Sequence, residues 1–499
     1  LFFDKPHLNI RRDQGGAVYV AGLRLNTEAS SKGFSGWLLA QREVIVRDAQ
    51  VSWDDQLRHA PPLSLANVNF LMRNRGSQHR FALRAQPPRE LAAALDLRGE
   101  LAGASFAQLQ AWNGSLYAEL PYTDLSAWRA WIDHPLQIQQ GQGGLRLWLR
   151  FADKQLAEAT ADVALGNINA RLAPELPVLE MRSLQGRWSA KRAQGGYDIG
   201  GKRVAMTLQS GVTLPPAQFA LKWRPGDDAR AESGEVRIDA LELQPLALLG
   251  EYLPLPPQLR KFLADAAPQG KVSDMQVDWQ GSLPNPQRFS ARGRFDQLGM
   301  RAHARLPGFS GLSGNIDANE KSGSALLDSS KVGLALPWGY TEASREFDTL
   351  SAQLAWTHAA GELQLKLSNI AFANADLAGT AFGSYATASE GPGVIDLTAR
   401  LNRTDARRVP RYIPFLNKVV RDWLERALLA GRASEVSMRL KGNLRDFPFQ
   451  SKNSGVFQIS AKVAGGSLSY AEGWPTIEGI DAELHFNGRS MEVVSRKAS

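Results

Sequence analysis

Apolar and polar residues alternate with a period of two along much of this chain. In "GLRLWLRF" (144–151), Leu145, Leu147, Leu149 and Phe151 alternate with Arg146, Trp148 and Arg150. That pattern predicts a strand with one apolar and one wet face. It returns in "DMQVDWQG" (274–281), "GELQLKLSN" (361–369), "SEVSMRLKG" (434–442) and "GIDAELHFNG" (479–488). A sheet of such strands has a greasy face that something must cover. A second sheet, closure into a barrel, or a half-curled trough filled by an apolar ligand would each do so. Periodicity alone does not choose among them.

A long repeat underlies the strands. "YLPLPPQLRKFLADAAPQGKVSDMQVDWQGSL" from Tyr252 and "YIPFLNKVVRDWLERALLAGRASEVSMRLKGNL" from Tyr412 share Tyr, an apolar residue, Pro, a helical stretch, Gly and an alternating strand. Gly270 and Gly431 are the matching glycines, and a weaker copy from Thr123 has Gly144 in that place. A second element follows each strand, from Val163, Phe295 and Val463, and leads through Leu-Pro or Trp-Pro into the next strand. One unit repeated with insertions predicts a single architecture growing in one direction. The expected sections are an N-terminal one at 1–122, repeat units at 123–240 and 241–403, and an incomplete unit at 404–499, all along one groove.

The repeat helices are short. Pro414 suits a first helical position and Gly431 a left-handed C-terminal one, so a helix is expected over 414–430. Its apolar stripe would be Phe415, Leu416, Val419, Val420, Trp423, Leu424, Ala427 and Leu428, docked on the sheet. Lys418, Arg421, Asp422, Glu425 and Arg426 would face outward. A helix lying on a membrane surface or guarding a groove mouth is the alternative. Leu259, Phe262, Leu263 and Ala266 repeat the stripe in miniature.

Composition narrows the picture. The 499 residues are 43% apolar and 22% charged, ordinary for a folded chain. No apolar run approaches the ~20 residues that span a bilayer. The start, "LFFDKP", reads as an excerpt of something longer, with any anchor or export signal expected outside it. There is no cysteine, which excludes disulfides and thiolate chemistry and suits an oxidising compartment. The net charge of +8 is spaced along strands, which argues for a solvated face, near anionic membrane surfaces, and against nucleic-acid binding.

The search for catalytic chemistry comes back empty. "GYDIGGKR" (196–203) imitates a phosphate loop, but Arg203 replaces the Ser or Thr that should hold Mg²⁺. "GQGGLR" (141–146) lacks the third glycine of a dinucleotide fingerprint and reads as a turn. The histidines, His7, His59, His79, His134, His303, His358 and His485, never fall within five residues of one another, so no helical metal pair exists. Asp54 and Asp55 after Trp53 read as a solvated strand end. No G-x-S-x-G occurs, and the thirteen tryptophans read mostly as packing residues. The expectation is a non-enzyme with no cofactor and no metal.

Resemblance chooses among the covers for the greasy face. "GFSGWLLAQREVIVRDAQVSWDD" (33–55), "PPLSLANVNFLMRNRGSQHRFALRAQPPRELAAALDLRGELAG" (61–103) and "LQAWNGSLYAELPYTDLSAW" (109–128) resemble the YhdP family of large AsmA-like envelope proteins. So does "GNLRDFPFQSKNSGVFQISAKVAGGSLSYAEGWPTIEGIDAELHFNGRSMEV" (442–493). The likeness covers nearly the whole chain and is looser across 190–240 and 320–400. It implies a mainly β fold: a long, curled, repeat-built antiparallel sheet forming a hydrophobic groove, a β-taco, with a few short α-helices. It further implies a periplasmic section of an inner-membrane-anchored protein that moves phospholipid toward the outer membrane. The membrane helix and C-terminal region lie outside this stretch, which resembles an interior section.

On that reading the partners are phospholipid acyl chains, the inner membrane through a segment outside the chain, and proteins of either membrane. The expected lining is Leu145, Leu147 and Leu149; Met275, Val277 and Trp279; Leu363, Leu365 and Leu367; Val436, Met438 and Leu440; and Ile480, Ala482 and Leu484. A bulge could invert any one of these strands. The runner-up is an envelope scaffold or assembly factor cradling a β-rich client, as in TamB-like proteins.

Overall fold

The computed structural model describes the chain except residues 26–32, 107–110, 133–136, 194, 229, 284, 304–306, 336–344, 360, 389, 413–417, 448, 450–453, 489, 498 and 499. The fold is mainly β, with 27 strands among the described residues. The chain divides into two compact units: Leu1–Leu241 with Leu249–Arg260, and Glu242–Leu248 with Lys261–Ser499.

In the first unit, Phe2–Asp4 and His7–Arg12 run parallel to Glu43–Asp55. From Glu43–Asp55 to Ser233–Glu242, each strand then pairs antiparallel with its successor. The second unit repeats this ladder from Gln269–Gln280 to Ser490–Lys497. Among the described residues, no pairing joins the first strand of either ladder to its last, so the sheet is curled and unclosed. Closure into a barrel is set aside.

The curl has a local cause. Strand after strand contains a residue with left-handed backbone at a register shift: Asp48, Asn67, Asn167 and Arg203 in the first unit, Asp274, Gln297, Lys331, Asn369 and Glu435 in the second. Such bulges bend a strand and increase its twist. Asn and Asp tolerate this conformation best among non-glycine residues, and five of these nine positions carry one. "GQGGLR" belongs to the same system. It lies inside the strand Gln137–Ala152, with Gly143 at φ +144° beside a register shift, and is not the expected turn.

Tight packing is confined to parts of each strand. In the first unit Ile168, Ala170, Leu179, Met181, Leu208 and Leu214 form a buried cluster with Leu249. Val46, Ala49, Val51, Val68 and Ala85 form another. The wet face carries cross-strand ion pairs, among them Arg146–Glu119 at 2.8 Å, Arg84–Asp96 at 3.1 Å and Lys222–Glu235 at 2.8 Å. Each such surface pair contributes only ~0–1 kcal/mol. Asp55 is no solvated turn: it is 2% exposed and accepts a bidentate pair from Arg12 of the neighbouring parallel strand.

The repeat helices run Pro257–Ala266 and Lys418–Ala427. The second ends earlier than expected, at Ala427. Leu428 already opens the strand Leu428–Asn443, so Gly431, at φ +141°, is a strand residue and no helix cap. Pro414, Phe415 and Leu416 lie outside the described residues.

Candidate functional site

Residues directly opposite one another in a ladder point to the same face, so the registers trace the apolar face across each unit. In the first unit one row runs Val46, Phe70, Leu83, Leu97, Ala118, Leu147, Ala161, Trp188, Gly201, Phe219 and Ile238. Each member pairs with the next. A second row runs beside it through Phe81, Gly99, Leu116, Leu149, Ala159, Ala190, Ile199 and Leu221. Neither row contains a polar side chain.

The second unit has the same construction. Gly293, Ile316, Ala325, Leu354, Leu367, Gly383, Leu397, Leu440 and Phe457 form one row. Val277, Ala291, Ala318, Gly323, Trp356, Leu365, Tyr385 and Ile395 form another, whose one hydroxyl, that of Tyr385, donates to the carbonyl of Pro392 at 2.9 Å.

The sequence-selected residues fall on these faces. Leu145, Leu147 and Leu149 share the apolar face of the first unit. Met275, Val277 and Trp279, Leu363, Leu365 and Leu367, Val436, Met438 and Leu440, and Ile480, Ala482 and Leu484 share that of the second. Trp279 and Ala482 are buried and the others half-buried. A half-buried apolar face fits a sheet covered on one side only. In the strand Gln269–Gln280 a bulge sits beside the selected residues: Asp274 and Met275 together oppose Gly293, and Val272 beyond them pairs with Phe295.

Sequence reasoning missed the intervening strands, where Phe70, Phe219, Trp356, Leu397 and Phe457 complete the rows. Alternation in "HRFALRA" and "VFQISAKV" carries the signal. It also missed a recurring pairing of bulky groups with glycines. Ideal Cβ atoms at Gly99 and Gly201 would lie 2.4 Å from the rings of Phe81 and Phe219. At Gly323 the distance to the Trp356 ring would be 2.2 Å, and at Gly293 the Met275 sulfur would stand 2.1 Å away. The glycines therefore let these side chains lie down along the sheet instead of standing up from it.

On the opposite face of the first unit, Trp148 packs against Tyr117 at 5.4 Å with the Arg187 guanidinium 5.4 Å from its ring. Arg98 and Arg84 hold the Asp96 carboxyl below its ordinary range, with Arg98 the larger cause and burial opposing. Arg187 does the same for Asp162. These groups neutralise one another and converge on no common point. No cluster of His, Asp and Glu among the described residues could hold a metal ion.

The helix Lys418–Ala427 departs from expectation. Arg421 is buried at 8% exposure, while Val419 is 75% and Val420 45% exposed. Arg421 and Ala427 are buried and Leu424 is half-buried, so the inward arc takes in Arg421 and leaves Val419 and Val420 of the expected stripe outside. Two contacts hold this setting: Trp423 Nε1 donates to the carbonyl of Tyr470 at 2.9 Å, and Ser469 N donates to the carbonyl of Ala427 at 2.9 Å.

No helix among the described residues is long and apolar enough to cross a membrane. Neither the curated proteins nor the solved structures contain a match to this chain. A family model does: that of the YhdP protein matches residues 1–499, the full length. An unclosed curled sheet with an apolar face is the form expected of that group, and the chain belongs to the YhdP family.

Proposed function

We propose that this chain is a section of a conduit that carries phospholipid between the inner and outer membranes, the acyl chains lying on the apolar face and the headgroups in water. The observation that carries the reading is that one row in each unit, through Leu147 and through Leu440, passes from strand to strand without a polar side chain. Each methylene removed from water is worth ~0.8 kcal/mol, so a long acyl chain gains roughly 10 kcal/mol on such a surface. A chain sliding along the row exchanges one aliphatic neighbour for the next. No hydrogen bond has to break along the way.

The reading assigns no catalytic residue, cofactor or metal. Movement is passive at the level of this section, with direction set elsewhere. Family membership supports an envelope location, and we place the section in the periplasm, tied to the inner membrane by a segment outside this chain.

The test is to purify the chain from a Gram-negative host and analyse co-purifying lipid by mass spectrometry. A photo-crosslinking residue at Leu147 or Leu440 should capture phospholipid, and one at Arg146 or Arg439 should not. Capture of a protein strand in place of lipid would favour the scaffold.

A further inference from the structure

The rotated helix leaves an apolar surface exposed among the described residues. Val419 and Val420 project from it. Beside them the hairpin turn between Gly455–Leu468 and Ile477–Asn487 presents Tyr470 and Trp474, at 53% and 67% exposure. The patch is one body, since Trp423 stacks edge-on with Tyr470 at 5.9 Å and Tyr470 meets Trp474 at 6.0 Å. It is separate from the apolar face of the strands, because it sits on the connector and on a turn.

Its surroundings are basic. Of the eight Lys and Arg side chains in residues 403–432 Arg421 is buried, and the other seven stand against three carboxylates of the same stretch and Asp376, which lies 3.9 Å from Arg408 and from Arg411. The turn 468–477 adds Glu472, which leaves a positive surplus of two. The short turn Ala406–Tyr412 packs against the helix and holds Arg407 and Arg408 exposed. Aliphatic side chains, aromatic rings with a polar tip, and a positive surround are the chemistry of a bilayer interface, where Trp and Tyr sit at headgroup level and cations meet phosphate.

We propose that Val419, Val420, Tyr470 and Trp474, with the basic connector around them, dock on an anionic lipid surface. This contact lies outside the groove and is independent of lipid carriage along it. A peripheral dock of this kind would set the section against a membrane without inserting it.

The test is co-sedimentation of the purified chain with phosphatidylcholine vesicles, with and without a minority of phosphatidylglycerol. Wild-type protein should sediment with the anionic vesicles only, and less as salt is raised. Trp474→Ala and Val419→Asp change exposed side chains and should leave the circular dichroism intact. Combined, they should weaken vesicle binding by about tenfold. Lipid co-purifying in the groove should be the same in variant and wild type. Wild-type protein that ignores anionic vesicles overturns the proposal, as does a folded variant that binds like wild type. A variant that also loses its co-purified lipid would assign the binding to the groove and equally overturn it.

Discussion

The Phe219 ring lies across Gly201 so closely that a Cβ at position 201 would stand 2.4 Å from the ring's Cε1. The two residues face each other in adjacent strands, with Trp188 on the other side of Gly201. Gly201→Ala must lift the ring away from the sheet. The expected cost is ~1–3 kcal/mol from overpacking, read as a lower urea midpoint at unchanged slope. Retained phospholipid should fall too, because the lifted ring narrows the apolar row.

Val277 tests whether the apolar face is open. Buried in a dry core, an aspartate there would cost several kcal/mol and threaten folding. On the half-buried face seen here it can reach water, so Val277→Asp should fold with near wild-type circular dichroism while losing phospholipid capture beyond this strand. Asp278, on the other face, accepts hydrogen bonds from Ser290 and Gln276; Asp278→Asn should leave capture unchanged. Normal capture by the folded Val277→Asp protein would remove this strand from the path.

Asp55 joins the parallel N-terminal strand to the ladder. Asp55→Asn leaves the partly buried Arg12 without its carboxylate and should cost ~3 kcal/mol. Limited proteolysis should then cut first near residues 12–18, before the ladder opens.

The wet-face carboxylates predict acid sensitivity. Asp96, Asp162 and Glu235 are held below their ordinary range, chiefly by hydrogen bonds from Arg98, Arg187 and Lys222. A lowered folded-state pKa gives stability that is full above the unfolded value of ~4 and lost as pH falls through the folded one. Unfolding midpoints should be level from pH 7 to 5 and drop below pH 4. Asp96→Asn should flatten that drop.

Much of the strand architecture was readable from alternation alone, because a single side of each strand is dehydrated and the period of two survives intact. The bulges were harder to foresee. Asn67, Asn167 and Asn369 look like ordinary polar strand residues, and only pairing with a neighbour shows that they take a left-handed backbone. The helix was misjudged for a related reason. Its stripe has the right spacing, but the azimuth is fixed by Trp423 and Ala427 bonding to residues 469 and 470, which no local pattern announces. Asp55 likewise looked solvated because Arg12 lies 43 residues away.

The recurring bulges also limit how such a protein can change in length. Each bulged strand must keep its count on both sides of its left-handed residue, since losing one residue would turn an apolar side chain out to water and a charged one in. Insertions and deletions are therefore tolerated in quanta. The smallest neutral edit is a complete hairpin, two strands with their bulges, and each one lengthens or shortens the sheet by about 9.5 Å. Related chains should differ by whole hairpins, a ruler graduated in pairs of strands.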